Sequence, residues 1–220
     1  MDKNQIIQLT TNFVKESLEG AEGGHDWFHI ERVCHNARLI GKGEKVDPFV
    51  VELGALLHDI ADAKFHDGDE TVGPKKASRF LRSLEVPESI VEHIENIILH
   101  VSFKNSLDNA NENKFESEEL KVIQDADRLD AIGAIGIART FNYGGFKYRA
   151  LYDPDIKPLI HQKKETYKKS TAPTINHFYE KLLLLRDKMN TDTGKKLAEQ
   201  RHQFMEQYLQ QFFDEWNGKV

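Results

Sequence analysis

Asp47-Pro48-Phe49-Val50-Val51-Glu52-Leu53-Gly54-Ala55-Leu56-Leu57-His58-Asp59-Ile60 is the stretch on which the fold turns. Asp47 supplies an N-cap and Pro48 a first-turn proline, so a helix opens here and runs through Leu53, Ala55 and Leu57. The helix is apolar almost throughout and ends on the doublet His58-Asp59, two polar side chains set beside leucines. Burying them is costly unless something pairs with them, and a metal ion is the economical partner. The plainer alternative is a histidine at a helix C-terminus, satisfied by the helix dipole and water.

Outward from this segment, apolar residues recur at helical spacing nearly everywhere, and useful strand alternation is hard to find. The chain is therefore read as all-α. Ile6, Ile7, Phe13, Val14 and Leu18 mark a first helix that stops at Gly20; Ile30, Val33, Ala37 and Ile40 mark a second that stops at Gly41 or Gly43. After a polar loop from Ala61 to Gly73, helices open at Pro74 and Pro87, the latter running to about Val101. A long apolar helix is expected from Leu120 to about Phe141, with Gly133 and Gly136 suited to close approach of a neighbouring helix. Residues 144–173, with two adjacent glycines, three prolines and many lysines, read as a long loop. Two amphipathic stretches over residues 174–217 complete one expected domain, residues 1–220, without internal repeats.

Composition narrows the function. The 36 acidic residues against 30 basic leave a net charge of −6, so no overall positive field exists to attract a phosphate backbone, and general nucleic-acid binding is disfavoured. Lys163, Lys164, Lys168 and Lys169 read as a solvated run. Met1 to Thr11 lacks a secretory pattern and no apolar run approaches a membrane span, so a cytoplasmic protein without membrane association is expected. The single cysteine, Cys34, lies among Ile30, Val33 and Ala37 and reads as a small core residue.

Chemistry concentrates in His29, in His58-Asp59, and in Gln124-Asp125-Ala126-Asp127-Arg128-Leu129-Asp130. Imidazole nitrogen with carboxylate oxygen suits Mn, Fe, Co, Ni, Zn or, less well, Mg, with positions left for water and phosphate oxygens. His25 lies four residues before His29, and on a helix both could face one way.

In order and spacing these motifs resemble the HD-domain phosphohydrolase superfamily, in which a His on one helix, a His-Asp doublet some tens of residues later and a distant Asp hold the metal. His29 in His25-Asp26-Trp27-Phe28-His29, then His58-Asp59, then Asp127 match that order. The likeness covers residues 20–145 and implies a compact all-α HD-domain helical bundle with a carboxy-terminal helical extension. Gly24 to His29, Gln124 to Gly136 and Phe141-Asn142-Tyr143-Gly144-Gly145 look like a small bacterial branch that includes nucleotide pyrophosphohydrolases, and His177 to Leu182 carries the likeness into the tail.

The resemblance implies metal ligands His29, His58, Asp59 and Asp127, a divalent ion with Mn favoured, and His25 at a helix entrance as a substrate or capping residue. Asp62, three residues after Asp59, is expected to handle the attacking water, and Lys64 to meet a phosphate oxygen. Arg128 and Lys147 are further candidate phosphate contacts, and His100, at a helix end, a candidate substrate contact. The activity so implied is hydrolysis of nucleoside triphosphates to monophosphate and pyrophosphate. A nucleoside-monophosphate phosphatase, a cyclic-nucleotide phosphodiesterase and a catalytically silent nucleotide-binding sensor are the alternatives. Alarmone hydrolases extend the doublet with a Glu-Asp pair, whereas here Ile60-Ala61-Asp62 follows. The expected partner is a small phosphorylated molecule, and the resemblance leaves room for a homodimer.

Overall fold

Every regular element among the described residues is helical, as the periodicity implies. The structure, a computed structural model, describes residues 1–20, 26–61, 69, 71–101, 115–160 and 171–220. Its helices are α1 (Lys3–Ser17), α2 (Trp27–Gly41), α3 (Pro48–Leu57), α4 (Val72–Ser83), α5 (Glu88–Val101), α6 (Glu118–Asp130), α7 (Gly133–Phe146), α8 (Asn176–Glu180) and α9 (Asp192–Trp216), with a 3-10 helix over Leu182–Lys188. Two compact units are formed, Met1–Asp127 and Arg128–Val220.

In the first unit, local chemistry sets the helix starts. Asp2 and Gln5 close a capping box on α1, the Asp26 carboxylate accepts from the His29 amide, and Asp47 accepts from the Phe49 amide ahead of Pro48. Ser117 Oγ accepts from the Leu120 amide at the start of α6. Residues 49–57 of α3 are all buried, the behaviour expected of a helix apolar on every side. Leu53, Leu56 and Leu57 pack in this unit with a core that also includes Ile30, Ile40, Leu81, Ile94, Ile97 and Ile123, all fully or almost fully buried. Helix α3 is thus enclosed, and its last residue delivers the His58-Asp59 doublet.

The second unit departs from expectation at two points. The long helix expected from Leu120 to Phe141 is broken at residues 131–132, because Gly133 adopts φ +74°, a left-handed conformation that ends one helix and starts the next. Gly133 does meet a neighbouring helix closely: a Cβ there would stand 3.0 Å from the Arg201 side chain of α9. Helix α7 also runs three residues further than the expected loop boundary, so Gly144 and Gly145 lie in its last turn, and Gly144 is pressed against Thr174. Beyond it, the Thr174 and Ile175 amides donate to the carbonyls of Ala150 and Leu151. Tyr152 sits edge-on to Phe213 and Trp216 of α9, with ring centroids 5.2 and 5.1 Å away. The Asp130 carboxylate, 1% exposed, is held by Arg139.

Candidate metal centre

Three helices of the first unit bring the sequence-predicted ligands together. His29 comes from the first turn of α2, His58 and Asp59 from the end of α3, and Asp127 from the last turn of α6. One ligand atom each from His29, His58 and Asp59 lie within 4.8 Å of one another. Asp127 joins through His29, its Oδ1 standing 3.5 Å from His29 Nε2. The two imidazoles are 3% and 8% exposed, with ring centroids 5.5 Å apart, whereas the Asp127 side chain is 42% exposed. The cluster is buried on its histidine side and open on its aspartate side.

The donor set fits a divalent cation. His58 Nδ1 lies 2.8 Å from the Ala55 carbonyl oxygen. A carbonyl only accepts, so in this geometry Nδ1 is the donor and Nε2 is the ring nitrogen that could serve a Lewis acid. Imidazole nitrogen with two carboxylates forms a mixed N/O donor set of the kind that divalent cations take.

The same helices are tied to each other and to α5. Arg38 of α2 grips Glu52 of α3 with a two-pronged hydrogen bond, Nε to Oε2 at 2.8 Å and Nη2 to Oε1 at 2.5 Å. Gly54 of α3 lies against Ile123 of α6 so closely that a Cβ would overlap the Ile123 Cδ1. Gln124, one turn before Asp127, donates to the His100 carbonyl at the end of α5 with a distance of 3.0 Å. Asn36, on α2, donates to the Ala126 carbonyl at 3.2 Å. The sequence analysis singled out none of Asn36, Arg38, Glu52 and Gly54; for Asn36 its place on one face with His29, seven positions before it, was readable, but its partner on α6 was not.

The remaining candidates fall in different places. His25, Asp62 and Lys64 lie outside the described residues, as do Lys163, Lys164, Lys168 and Lys169. His100 is half-buried at the end of α5, its Nδ1 2.8 Å from the Asn96 carbonyl and its ring 5.6 Å from that of Phe115. In the second unit, Arg128 Nη1 donates to the Lys188 carbonyl at 2.6 Å, and the exposed Lys147 ammonium lies over the rings of Phe146 and Tyr143 at 4.9 and 5.6 Å. Asp125 and Asp130 are buried. Cys34 is a buried core residue, its thiol pushed far up by burial first and by the Glu52 charge second, which makes it a poor nucleophile. No helix among the described residues is long and apolar enough to cross a membrane.

The chain is similar to several known proteins. Residues 27–132, which span all four candidate ligands, match the family model described as HD domain. The chain is 39% identical over 207 residues to the YpgQ protein of Bacillus subtilis, covering 94% of this chain and 91% of YpgQ. An HD-superfamily hydrolase from Bacillus thuringiensis, known as a crystal structure, is similar at 44% identity with a TM-score of 0.78, over 98% of this chain and 99% of that one. The crystal structure of Bacillus subtilis YpgQ in complex with ADP is similar with a TM-score of 0.76 at 36% identity, over 98% of this chain and 97% of that one.

Proposed function

The chain belongs to the HD-domain superfamily of metal-dependent phosphohydrolases, and on that premise we propose that it hydrolyses nucleoside triphosphates to nucleoside monophosphate and pyrophosphate. The observation that carries the site is the convergence of His29, His58 and Asp59, with Asp127 beside His29. The nucleotide reading is supported by the ADP bound to the YpgQ protein.

In this reading His29, His58, Asp59 and Asp127 hold the ion, with Mn favoured by family resemblance over Mg, Fe, Co, Ni and Zn. A bound divalent ion supplies Lewis acidity, polarising a phosphoryl group and lowering the pKa of water toward neutrality. The protein's own groups do the rest. His58 is held by its Nδ1 bond to the Ala55 carbonyl, which leaves Nε2 to bind the ion. Asp62 orients the attacking water and takes its proton, and Lys64 neutralises a phosphate oxygen. Arg128 is assigned to a second phosphate oxygen, its guanidinium suited to an anion by charge and planar donor geometry. Lys147 meets the phosphate that leaves, while His25 and His100 contact the rest of the substrate. The enzyme would act in the cytoplasm on small nucleotides.

The test is a screen of nucleotides and phosphate esters against Mn, Mg, Co, Ni and Zn, with products identified. Release of pyrophosphate from a triphosphate supports the reading. Release of inorganic phosphate from a monophosphate, or opening of a cyclic nucleotide, would move the assignment to those activities. Binding without turnover under every metal would make the protein a sensor.

A further inference from the structure

The geometry points to Asn36 as a positioning residue that orients Asp127 for metal binding through the peptide group between Ala126 and Asp127. This rests on the reading that Asp127 is a metal ligand. Helix α2 reaches α6 from one of its faces at two places: His29 approaches the Asp127 carboxylate, and Asn36, seven residues on and so about 20° away around the helix, donates its side-chain amide to the Ala126 carbonyl. The Ala126 carbonyl belongs to the same rigid peptide plane as the Asp127 nitrogen, so a hydrogen bond to that oxygen fixes the plane from which the Asp127 side chain departs.

Two features make this bond a device for position. Asn36 is buried and Ala126 fully so, which means water does not replace the lost donor cheaply. Asp127 itself is 42% exposed and lacks the packing that holds the two imidazoles, so its placement depends more on its backbone than theirs does. A carboxylate left free to swivel coordinates more weakly even though its chemistry is unchanged, and loss of such outer support commonly costs 10- to 100-fold in metal affinity.

The test uses Co(II) alone as the probe, titrated into the metal-free full chain and followed by its visible absorption. Asn36→Leu keeps the volume of the side chain and removes the donor. It is expected to weaken Co(II) binding about 10-fold or more and to change the absorption bands, with helical content retained. Asn36→Ala should weaken binding at least as much, and it stands in if the leucine variant does not fold. Leu81→Ala, a core deletion in α4, supplies the comparison: it lowers the unfolding midpoint and should leave Co(II) affinity within about twofold of the wild type, since α4 carries none of the four candidate ligands. Asn36 variants binding Co(II) within twofold of the wild type would overturn the inference, as would an equal loss of affinity in Leu81→Ala. Asp127→Ala separates the two levels. If it retains full Co(II) affinity, the ligand assignment itself fails; if it loses affinity while Asn36→Leu does not, only the role of Asn36 fails.

Discussion

Substituting Gly54 by Ala tests how the ligand helices are held together. The new Cβ would meet Ile123 Cδ1 well inside contact distance, with Ile97 Cγ2 at 3.5 Å and Ile94 Cδ1 at 3.7 Å as ordinary neighbours. Ile123 is fully buried, so its end carbon has nowhere open to go, and forcing such an overlap costs about 1–3 kcal/mol. Against this, Ala in a helix interior gains about 1 kcal/mol over Gly. The single variant should therefore lose about 0–2 kcal/mol. Ile123→Val removes the clashing carbon and by itself costs about 0.5–1.5 kcal/mol. In the double variant the overlap is gone and the helix gain remains, so its stability should lie within about 0.5 kcal/mol of the wild type, a favourable coupling of about 1–3 kcal/mol. Urea denaturation of the four proteins measures this, and Co(II) titration alongside should show weaker binding in Gly54→Ala, restored in the double variant, because α3 and α6 carry three of the four candidate ligands. Additive losses, within about 0.5 kcal/mol, would refute the close α3–α6 approach as the reason for this glycine.

Other outcomes follow from the site and the second unit. His58→Ala or Asp127→Ala should release the ion and abolish hydrolysis while circular dichroism shows most of the helix retained; stoichiometric metal with near-normal turnover in either variant would contradict the ligand assignment. Asp62→Asn should keep the metal and lower turnover by roughly 10²-fold, a role that an unchanged rate at saturating metal and substrate would remove. Lys147→Ala should reduce turnover of a nucleotide more than that of a small ester with an uncharged leaving group, and equal losses would return Lys147 to the solvated surface. His177 is pushed down to about 3 by burial first, with Lys181 and Arg149 adding to it. The unfolded chain therefore binds a proton that the folded chain refuses. The stability tied to neutral His177 is complete above about pH 6.5 and is lost as pH falls from there toward 3, by up to about 2 kcal/mol at pH 5. Between pH 7 and 5 the melting temperature should fall less steeply in His177→Gln; parallel slopes would show that His177 titrates normally.

Much of this architecture was readable from local chemistry. Asp47-Pro48 marks the start of α3 because an N-cap and a first-turn proline act within a few residues, and the apolar run behind them could only be a buried helix. The same run made His58-Asp59 conspicuous, since polar side chains at the end of a buried helix need a partner. The break between α6 and α7 was not readable: Gly133 can sit in a helix or turn it, and the choice depends on Arg201, which arrives from 68 positions along the chain. The roles of Gly54 and Asn36 were hidden for the same reason, their partners being Ile123 and the Ala126 carbonyl. Likewise, sequence marked Arg128 and Lys147 as candidate phosphate contacts but could not show that one donates to the Lys188 carbonyl or that the other lies over the Phe146 and Tyr143 rings.

The products of one reaction test the proposed hydrolysis most directly. The purified chain, stripped of metal and reloaded with Mn, is incubated with each nucleoside triphosphate, and phosphorus NMR follows the products. The prediction is nucleoside monophosphate and pyrophosphate in equal amounts, with no reaction before the metal is restored and none in His58→Ala. Diphosphate with inorganic phosphate, turnover that persists in the stripped protein, or no turnover with any divalent ion would contradict it.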